Sequence, residues 1–245
     1  MTRYFIGTSG WHYEDWRKQF YPKALPKTKW LEFYARHFPT VELNNSFYRL
    51  PSENAFKSWY KSTPDDFTFT VKVSRFITHI KRLKNSEEEI KKFINRARIL
   101  GEKLGPLLYQ LPPNMLRHDE TLAAFLSLLP REFRHVIEFR HKSWLEQDTF
   151  NTLRRRNIAL CVFDMPSFTS PLLATADFAY IRFHGREGLY SSSYSDTELA
   201  DWAKRIDSLA KKMDSIYIYF NNDVAGYALG NAATMRGYLE KEGQR

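Results

Sequence analysis

Phe67-Thr68-Phe69-Thr70-Val71-Lys72-Val73 alternates strictly between apolar and polar side chains. Successive side chains on a strand point to opposite faces, so Phe67, Phe69, Val71 and Val73 share one side and Thr68, Thr70 and Lys72 the other. The apolar side suits packing on helices, and the polar side ends in a charge. An unpaired buried charge costs several kcal/mol, so packing alone gives a strand no reason to end this way.

Seven further short runs of strand-forming residues also end in groups that can do chemistry: Tyr4–Thr8, Thr40–Leu43, Pro106–Leu111, His135–Phe139, Ile158–Phe163, Phe178–Phe183 and Ser215–Phe220. At or just past the C-terminal ends of the eight stand Thr8 and Trp11, Glu42 and Asn44, Lys72 and Arg75, Gln110, Glu138 and Arg140, Asp164, Arg182 and His184, and Asn221 to Asp223. By parity, Glu42, Asn44, Lys72, Glu138, Arg140, Asp164, Arg182 and His184 are expected on an inner face, opposite Val41, Ile137, Cys161, Phe163, Ile181 and their neighbours.

Helical spacing alternates with these runs. Ser86 and Glu89 read as a capping box before Ile90, Phe93, Ile94 and Ala97, and Ser195 and Glu198 as another before Leu199, Trp202, Ala203, Ile206, Leu209, Ala210 and Met213. Weaker helical patterns follow Thr28, Pro51, Asp119 and Trp144, and a last runs from about Val224 to Glu240. The stretch from Met165 to Asp177, with two prolines, reads as a loop. The expected fold is a (β/α)8 barrel over 1–245 as a single domain, with an irregular or missing helix after strand 6. A doubly wound open sheet is the alternative, weakened because no strand-to-helix turn carries a glycine-rich phosphate fingerprint.

The 245 residues are 43% hydrophobic with only 10 Gly and 11 Pro, a globular composition. The single cysteine, Cys161, cannot form an internal disulfide, which favours a reducing compartment. The opening residues MTRYFIGTSGW lack the apolar core of a signal peptide, and no run approaches a membrane span, so a cytoplasmic location and no membrane partner are expected. With 37 Lys and Arg against 28 Asp and Glu the net charge is +9, compatible with a plain basic protein or an anionic partner.

The stretches GTSGWHYEDW, FYP (Phe20–Pro22), VELNNSFYRLP (Val41–Pro51), FTFTVKVSRFITHIKRL (Phe67–Leu83), LGPLLYQLPP (Leu104–Pro113), EFRHKSW (Glu138–Trp144), IRFHGREG (Ile181–Gly188) and YFNNDVAGYALGNA (Tyr219–Ala232) resemble the DUF72, or YecE-like, family in order along nearly the whole chain. The resemblance implies a TIM-type barrel. It implies no activity and brings no catalytic residues.

The residues themselves suggest chemistry. The long loop Ser9–Lys27 carries Trp11, His12, Tyr13, Trp16, Phe20 and Tyr21, either a wall over a ligand or a small core of its own. The loop after the third strand holds Lys72, Arg75, Lys81, Arg82 and Lys84 around His79, which suits an anion or a solvated surface. The run Arg154–Arg156 precedes a strand and belongs to the opposite rim. Glu42, Glu138, Asp164 and His184 are also metal-ligand types, so metal-assisted chemistry stays open, but the nearby arginines compete for the carboxylates and no metal motif is present, and no metal ligands are assigned. Asp223 reads more readily as an N-cap of the last helix than as a site residue.

The expected function is an enzyme doing acid/base chemistry, hydrolase- or lyase-like, on a small phosphate- or carboxylate-bearing molecule. Glu138, Asp164, His184, Glu42 and Lys72 are the candidate catalytic groups. Trp11, Asn44, Tyr48, Arg75, His79, Gln110, Arg140, His141, Trp144, Arg182, Asn221 and Asn222 are the candidate ligand contacts. The cofactor is unknown. The alternative is a nucleic-acid-binding protein using its basic face and aromatics, whose binding would weaken steeply with salt.

Overall fold

Each run rich in β-branched and aromatic residues forms a strand in the computed structural model, which describes residues 2–242. The strands are β1 (Arg3–Ser9), β2 (Thr40–Leu43), β3 (Thr68–Lys72), β4 (Leu104–Gln110), β5 (His135–Glu138), β6 (Ala159–Asp164), β7 (Phe178–Phe183) and β8 (Ser215–Phe220). They follow one another in sequence order around a closed parallel barrel, which excludes the open sheet. The helices are α1 (Trp30–Ala35), α2 (Asn45–Tyr48), α3 (Glu53–Lys61), α4 (Glu87–Ala97), α5 (Asp119–Ser127), α6 (Gln147–Arg154), α7 (Asp196–Ala210) and α8 (Tyr227–Glu242).

As expected, no helix follows β6. Hydroxyls in that irregular segment bond to the strand instead: Ser170 Oγ accepts from the Phe163 N–H at 2.8 Å, and Thr175 Oγ1 from the Leu160 N–H at 2.7 Å. The buried strand groups are thereby satisfied without a helix.

Two sets of elements are each densely packed. The first comprises the chain up to Glu42, residues 162–173 and the chain from Asp177 onward; the second comprises 43–161 and 174–176.

In the first set, β8 pairs in unbroken register with β1, from Arg3↔Ser215 to Thr8↔Phe220, and with β7, from Phe178↔Ser215 to Phe183↔Phe220. β1 passes tightly beside β2: a Cβ on Gly7 would stand 2.1 Å from the Thr40 carbonyl oxygen. The Tyr34 hydroxyl of α1 accepts from the Thr8 N–H at 2.9 Å and donates to the Thr40 carbonyl at 3.0 Å, tying the helix to both strands. On α7, Trp202 packs edge-on against Phe183 at 5.2 Å, the kind of burial worth roughly 1.5–3 kcal/mol. The capping box expected at Ser195 and Glu198 is formed in both directions.

In the second set, β3 pairs with β4, β4 with β5 and β5 with β6, all parallel. Tyr109 of β4 meets Phe125 of α5 edge-on at 5.3 Å. The capping box expected at Ser86 and Glu89 is not formed. Ser86 has φ −110° and ψ 10° rather than the extended cap conformation, and its hydroxyl donates to the Lys84 carbonyl. Glu89 is drawn instead to the Lys81 ammonium at 2.6 Å, a charge-assisted bond stronger than the one a cap offers. Among the described residues, no helix is long and apolar enough to cross a membrane.

Candidate functional site

Glu42 ends β2 fully buried, and both its oxygens are engaged. Oε1 accepts from Ser9 Oγ at 2.7 Å and from Arg182 Nη2 at 2.7 Å; Oε2 accepts from the Tyr180 hydroxyl at 2.5 Å. Tyr180 and Arg182 are two apart on β7 and so share a face, which lets one strand grip both oxygens. Burial, then the Glu42 charge, pushes the Tyr180 phenol far above its ordinary range and keeps it a donor.

Asp223, just past β8, does not cap the helical turn that begins at Val224; no side-chain cap bond forms there. The N-cap expectation is therefore corrected. Asp223 has helical dihedrals, φ −74° and ψ −23°, rather than the extended conformation that aims a carboxylate at a helix N-terminus. Its Oδ1 is buried without a hydrogen-bond partner. Burial above all, opposed by the Tyr13 hydrogen bond, helped by the Glu42 charge and opposed by Arg182, pushes the carboxyl up from 3.8 to about 7. The Tyr13 phenol is itself pushed high, first by burial and then by Asp223, and donates to the Ser9 carbonyl at 2.5 Å.

The backbone carrying Asp223 is strained and clamped. Ala225 and Gly226 follow with φ of 55° and 73°, and Trp16 Nε1 donates to the Asp223 carbonyl at 3.1 Å. A non-glycine residue in the left-handed region costs roughly 1–2 kcal/mol, and such strain concentrates at functional sites. The Ser9–Lys27 loop supplying Tyr13 and Trp16 has an aromatic core: Trp16 and Tyr21 are fully buried, and Tyr21 stacks on Trp30 at 4.4 Å.

His184 is buried at the end of β7, with the Asn221 amide donating to its Nδ1 at 3.0 Å; as placed, the neutral ring carries its proton on Nε2. Asn222 donates to Asn231 Oδ1 at 2.8 Å and to the Ser192 carbonyl at 2.9 Å. Asp164 accepts from Thr169 Oγ1 at 2.5 Å and lies beside the Tyr194 phenol, whose pKa it helps burial to raise.

In the second set, Glu138 of β5 is fully buried and ion-paired with Arg140, and the Cys161 thiol lies 3.6 Å from its Oε2. Cys161 thus lies on the face expected for Asp164. Residues three apart on a strand oppose each other, so the expectation that Asp164 lies inward is corrected: on β6 the odd-numbered residues take that face. Lys72 places its ammonium 4.2 Å above the Phe47 ring. His79 meets the edge of the same ring at 5.1 Å, and its Nδ1 lies 2.9 Å from Thr78 Oγ1. Burial, then the charges of Lys72, Arg75, Arg82 and Arg140, lowers the His79 pKa to about 4.

The family profile described as "Protein of unknown function DUF72" matches residues 5–245. The chain belongs to the DUF72 family. It is 29% identical to the UPF0759 protein YunF of Bacillus subtilis over 272 residues, covering 97% of this chain and 95% of that protein. It is 32% identical to the UPF0759 protein YecE of Escherichia coli over 166 residues, covering 65% of this chain and 58% of that protein. The crystal structure of a DUF72 family protein from Thermotoga maritima superposes with a TM-score of 0.86 at 33% identity, covering 97% of this chain and 99% of that one.

Within this DUF72 chain the structure groups Glu42 with Arg182, His184 with Asn221, Glu138 with Arg140, and Lys72 and Arg75 with His79. It sets other expected residues apart. Trp144 is fully buried, stacked on Phe139 at 4.8 Å and donating to the Met115 carbonyl, so it packs the end of β5 and cannot be the ligand wall expected of it. His141 Nδ1 accepts from the Ser143 N–H, capping a short helical turn. Gln110 is half-buried in register with Glu138, Trp11 is half-buried, Asn44 keeps a buried amide oxygen without a partner, and Tyr48 is exposed. Sequence reasoning missed Ser9, Tyr13, Tyr180 and Asp223. The signal for Tyr180 was present, since it shares strand parity with Arg182. Asp223 stands at the end of the eighth run but reads first as an N-cap, and Tyr13 stands among the loop aromatics with nothing in the sequence to single it out.

Proposed function

We propose that this DUF72 protein is an enzyme that moves protons on a small anionic substrate bearing a phosphate or carboxylate. The observation that carries the reading is Asp223, a carboxyl with one oxygen buried and unpartnered and a pKa raised to about 7, next to a Glu42 whose oxygens are fully engaged. Neighbouring carboxyls with environments this different divide the labour: one transfers the proton and the other holds position. Asp223 is the proton carrier, and Glu42 orients Arg182. His184, held by Asn221, is the second candidate for proton transfer. The second set has, by itself, a Glu138–Arg140 ion pair and a cationic cluster of Lys72, Arg75, Arg82 and Arg140 acting on His79. Asp164, off the expected face, is assigned to fixing the loop after β6.

The test is turnover in a pooled extract of phosphorylated and carboxylated metabolites, followed by mass spectrometry. The wild-type protein is expected to deplete at least one anionic compound, and Asp223→Asn to lose that activity while remaining folded. A wild-type protein that changes nothing in the pool, or an Asp223→Asn variant with full activity, overturns the reading.

A further inference from the structure

The loop after β3 adopts a conformation that local preferences oppose. Phe76–Ile80 forms a π-helical turn, and Arg82, Leu83 and Asn85 have φ of 50°, 69° and 48°. Isolated π turns are rare and frequently mark functional sites, and each non-glycine left-handed residue costs roughly 1–2 kcal/mol. Leu83 secures the shape by burying its side chain and donating its N–H to the Ile77 carbonyl at 3.0 Å.

What this shape achieves is a concentration of positive charge. Lys72, Arg75, Arg82 and Arg140, four positive charges, all act on His79. Arg140 is matched by Glu138. Arg75 and Arg82 have no carboxylate partner among the described residues; Arg82 donates only to the Asn114 side chain and carbonyl, at 3.2 and 3.0 Å. A guanidinium without a carboxylate partner is completed by an anion, and a dianion offsets two of them where a carboxylate offsets one.

Beside the cations lies exposed apolar surface. Phe47, which already contacts Lys72 and His79, adjoins Tyr48 at 5.1 Å. Tyr48 is 72% exposed, Phe76 44% and Ile80 60%. An exposed tyrosine and phenylalanine beside unmatched arginines are complementary to a flat ring carrying a phosphate.

We propose that α2 and the loop Arg75–Lys84 form a binding site for a phosphate monoester of an aromatic compound. The guanidiniums of Arg75 and Arg82 and the Lys72 ammonium hold the phosphate, and His79 adds a hydrogen bond without adding charge. Tyr48 and Phe76 hold the ring. The site deepens the anionic-substrate reading above and rests on it for its role, but its occupancy can be measured without turnover.

The experiment titrates the folded protein with phenyl phosphate, inorganic phosphate and phenol, following the His79 ring signals by NMR. Phenyl phosphate is expected to bind about tenfold more tightly than inorganic phosphate, and phenol not to bind. Bound phosphate should raise the pH at which His79 titrates. Arg75→Ala should weaken both phosphates about tenfold, whereas Tyr48→Ala should remove the advantage of phenyl phosphate and leave inorganic phosphate unchanged. No response of His79 to either phosphate at roughly 10 mM overturns the proposal, as does phenol binding as tightly as phenyl phosphate. Binding of a thymidine oligonucleotide without binding of phenyl phosphate overturns it in favour of a backbone-binding surface. Phenyl phosphate binding in a protein that turns over nothing in the metabolite pool leaves this site standing and removes the enzyme reading; the reverse result removes this site alone.

Discussion

Tyr180 and Arg182, two positions apart on β7, each donate to a different oxygen of Glu42, at 2.5 and 2.7 Å. The carboxylate is held on both sides by a single strand and braced by Ser9. Removing one ion from a buried pair strands the other. Arg182→Met is therefore expected to destabilise the protein by about 3–5 kcal/mol, and Tyr180→Phe by about 1–2 kcal/mol. Combining Arg182→Met with Glu42→Gln should cost less than the sum of the single losses, as a double-mutant cycle in urea would measure.

Asp223 makes stability depend on pH in a set direction. Its pKa is raised from 3.8 to about 7 in the fold, so between those values the folded chain holds a proton that the unfolded chain has lost. Its contribution is most favourable below pH 3.8, declines as pH rises, and is fully lost above about 7. Asp223→Asn should flatten this slope and, at pH 8, raise the melting temperature by about 2–4 °C. Thermal melts of both proteins from pH 4 to 8 measure it. An unchanged slope would rule out the burial of this carboxyl.

The two predicted capping boxes should respond unequally. Ser195 accepts from the Glu198 N–H and Glu198 reaches back, so Ser195→Ala is expected to cost about 1 kcal/mol. At Ser86 no cap bond exists, so Ser86→Ala should cost less than half as much. Urea midpoints of the two variants give the comparison.

Gly7 has no room for a methyl group. Because its Cβ would stand 2.1 Å from the backbone oxygen of Thr40, relief requires β1 and β2 to separate. Gly7→Ala is expected to lose about 3 kcal/mol or more, or to prevent soluble expression. A variant as stable as wild type would contradict the tight crossing of these strands.

The barrel was legible because its evidence is periodic. FTFTVKV repeats a two-residue rhythm, its seven counterparts are short strand-forming runs that end in polar groups, and the helical stripes between them repeat another. Parity also put Glu42 and Arg182 among the inner-face charges, and the structure pairs them. It failed at Asp164, because alternation fixes which residues share a face but not which face turns inward; Cys161, a small apolar residue, gave no hint that it lay near Glu138. Trp144 was misread because a tryptophan beside charged residues has the same letters whether it roofs a ligand or packs beneath a strand end. Asp223 escaped because an aspartate before a helix usually caps it, and only its backbone dihedrals reveal otherwise.

Trp16 and Asp223 are 207 positions apart, yet one hydrogen bond joins them, and the first strand is zipped to the last along its length. During synthesis, Tyr13 and Trp16 must therefore wait for almost all of the remaining described chain before the residues that complete their surroundings leave the ribosome. Until then Asp223 has not been made, and β1 has β2 beside it but lacks β8, its other neighbour. A nascent chain of this protein therefore carries one open edge of β1 until its last strand emerges, an edge on which another strand can add.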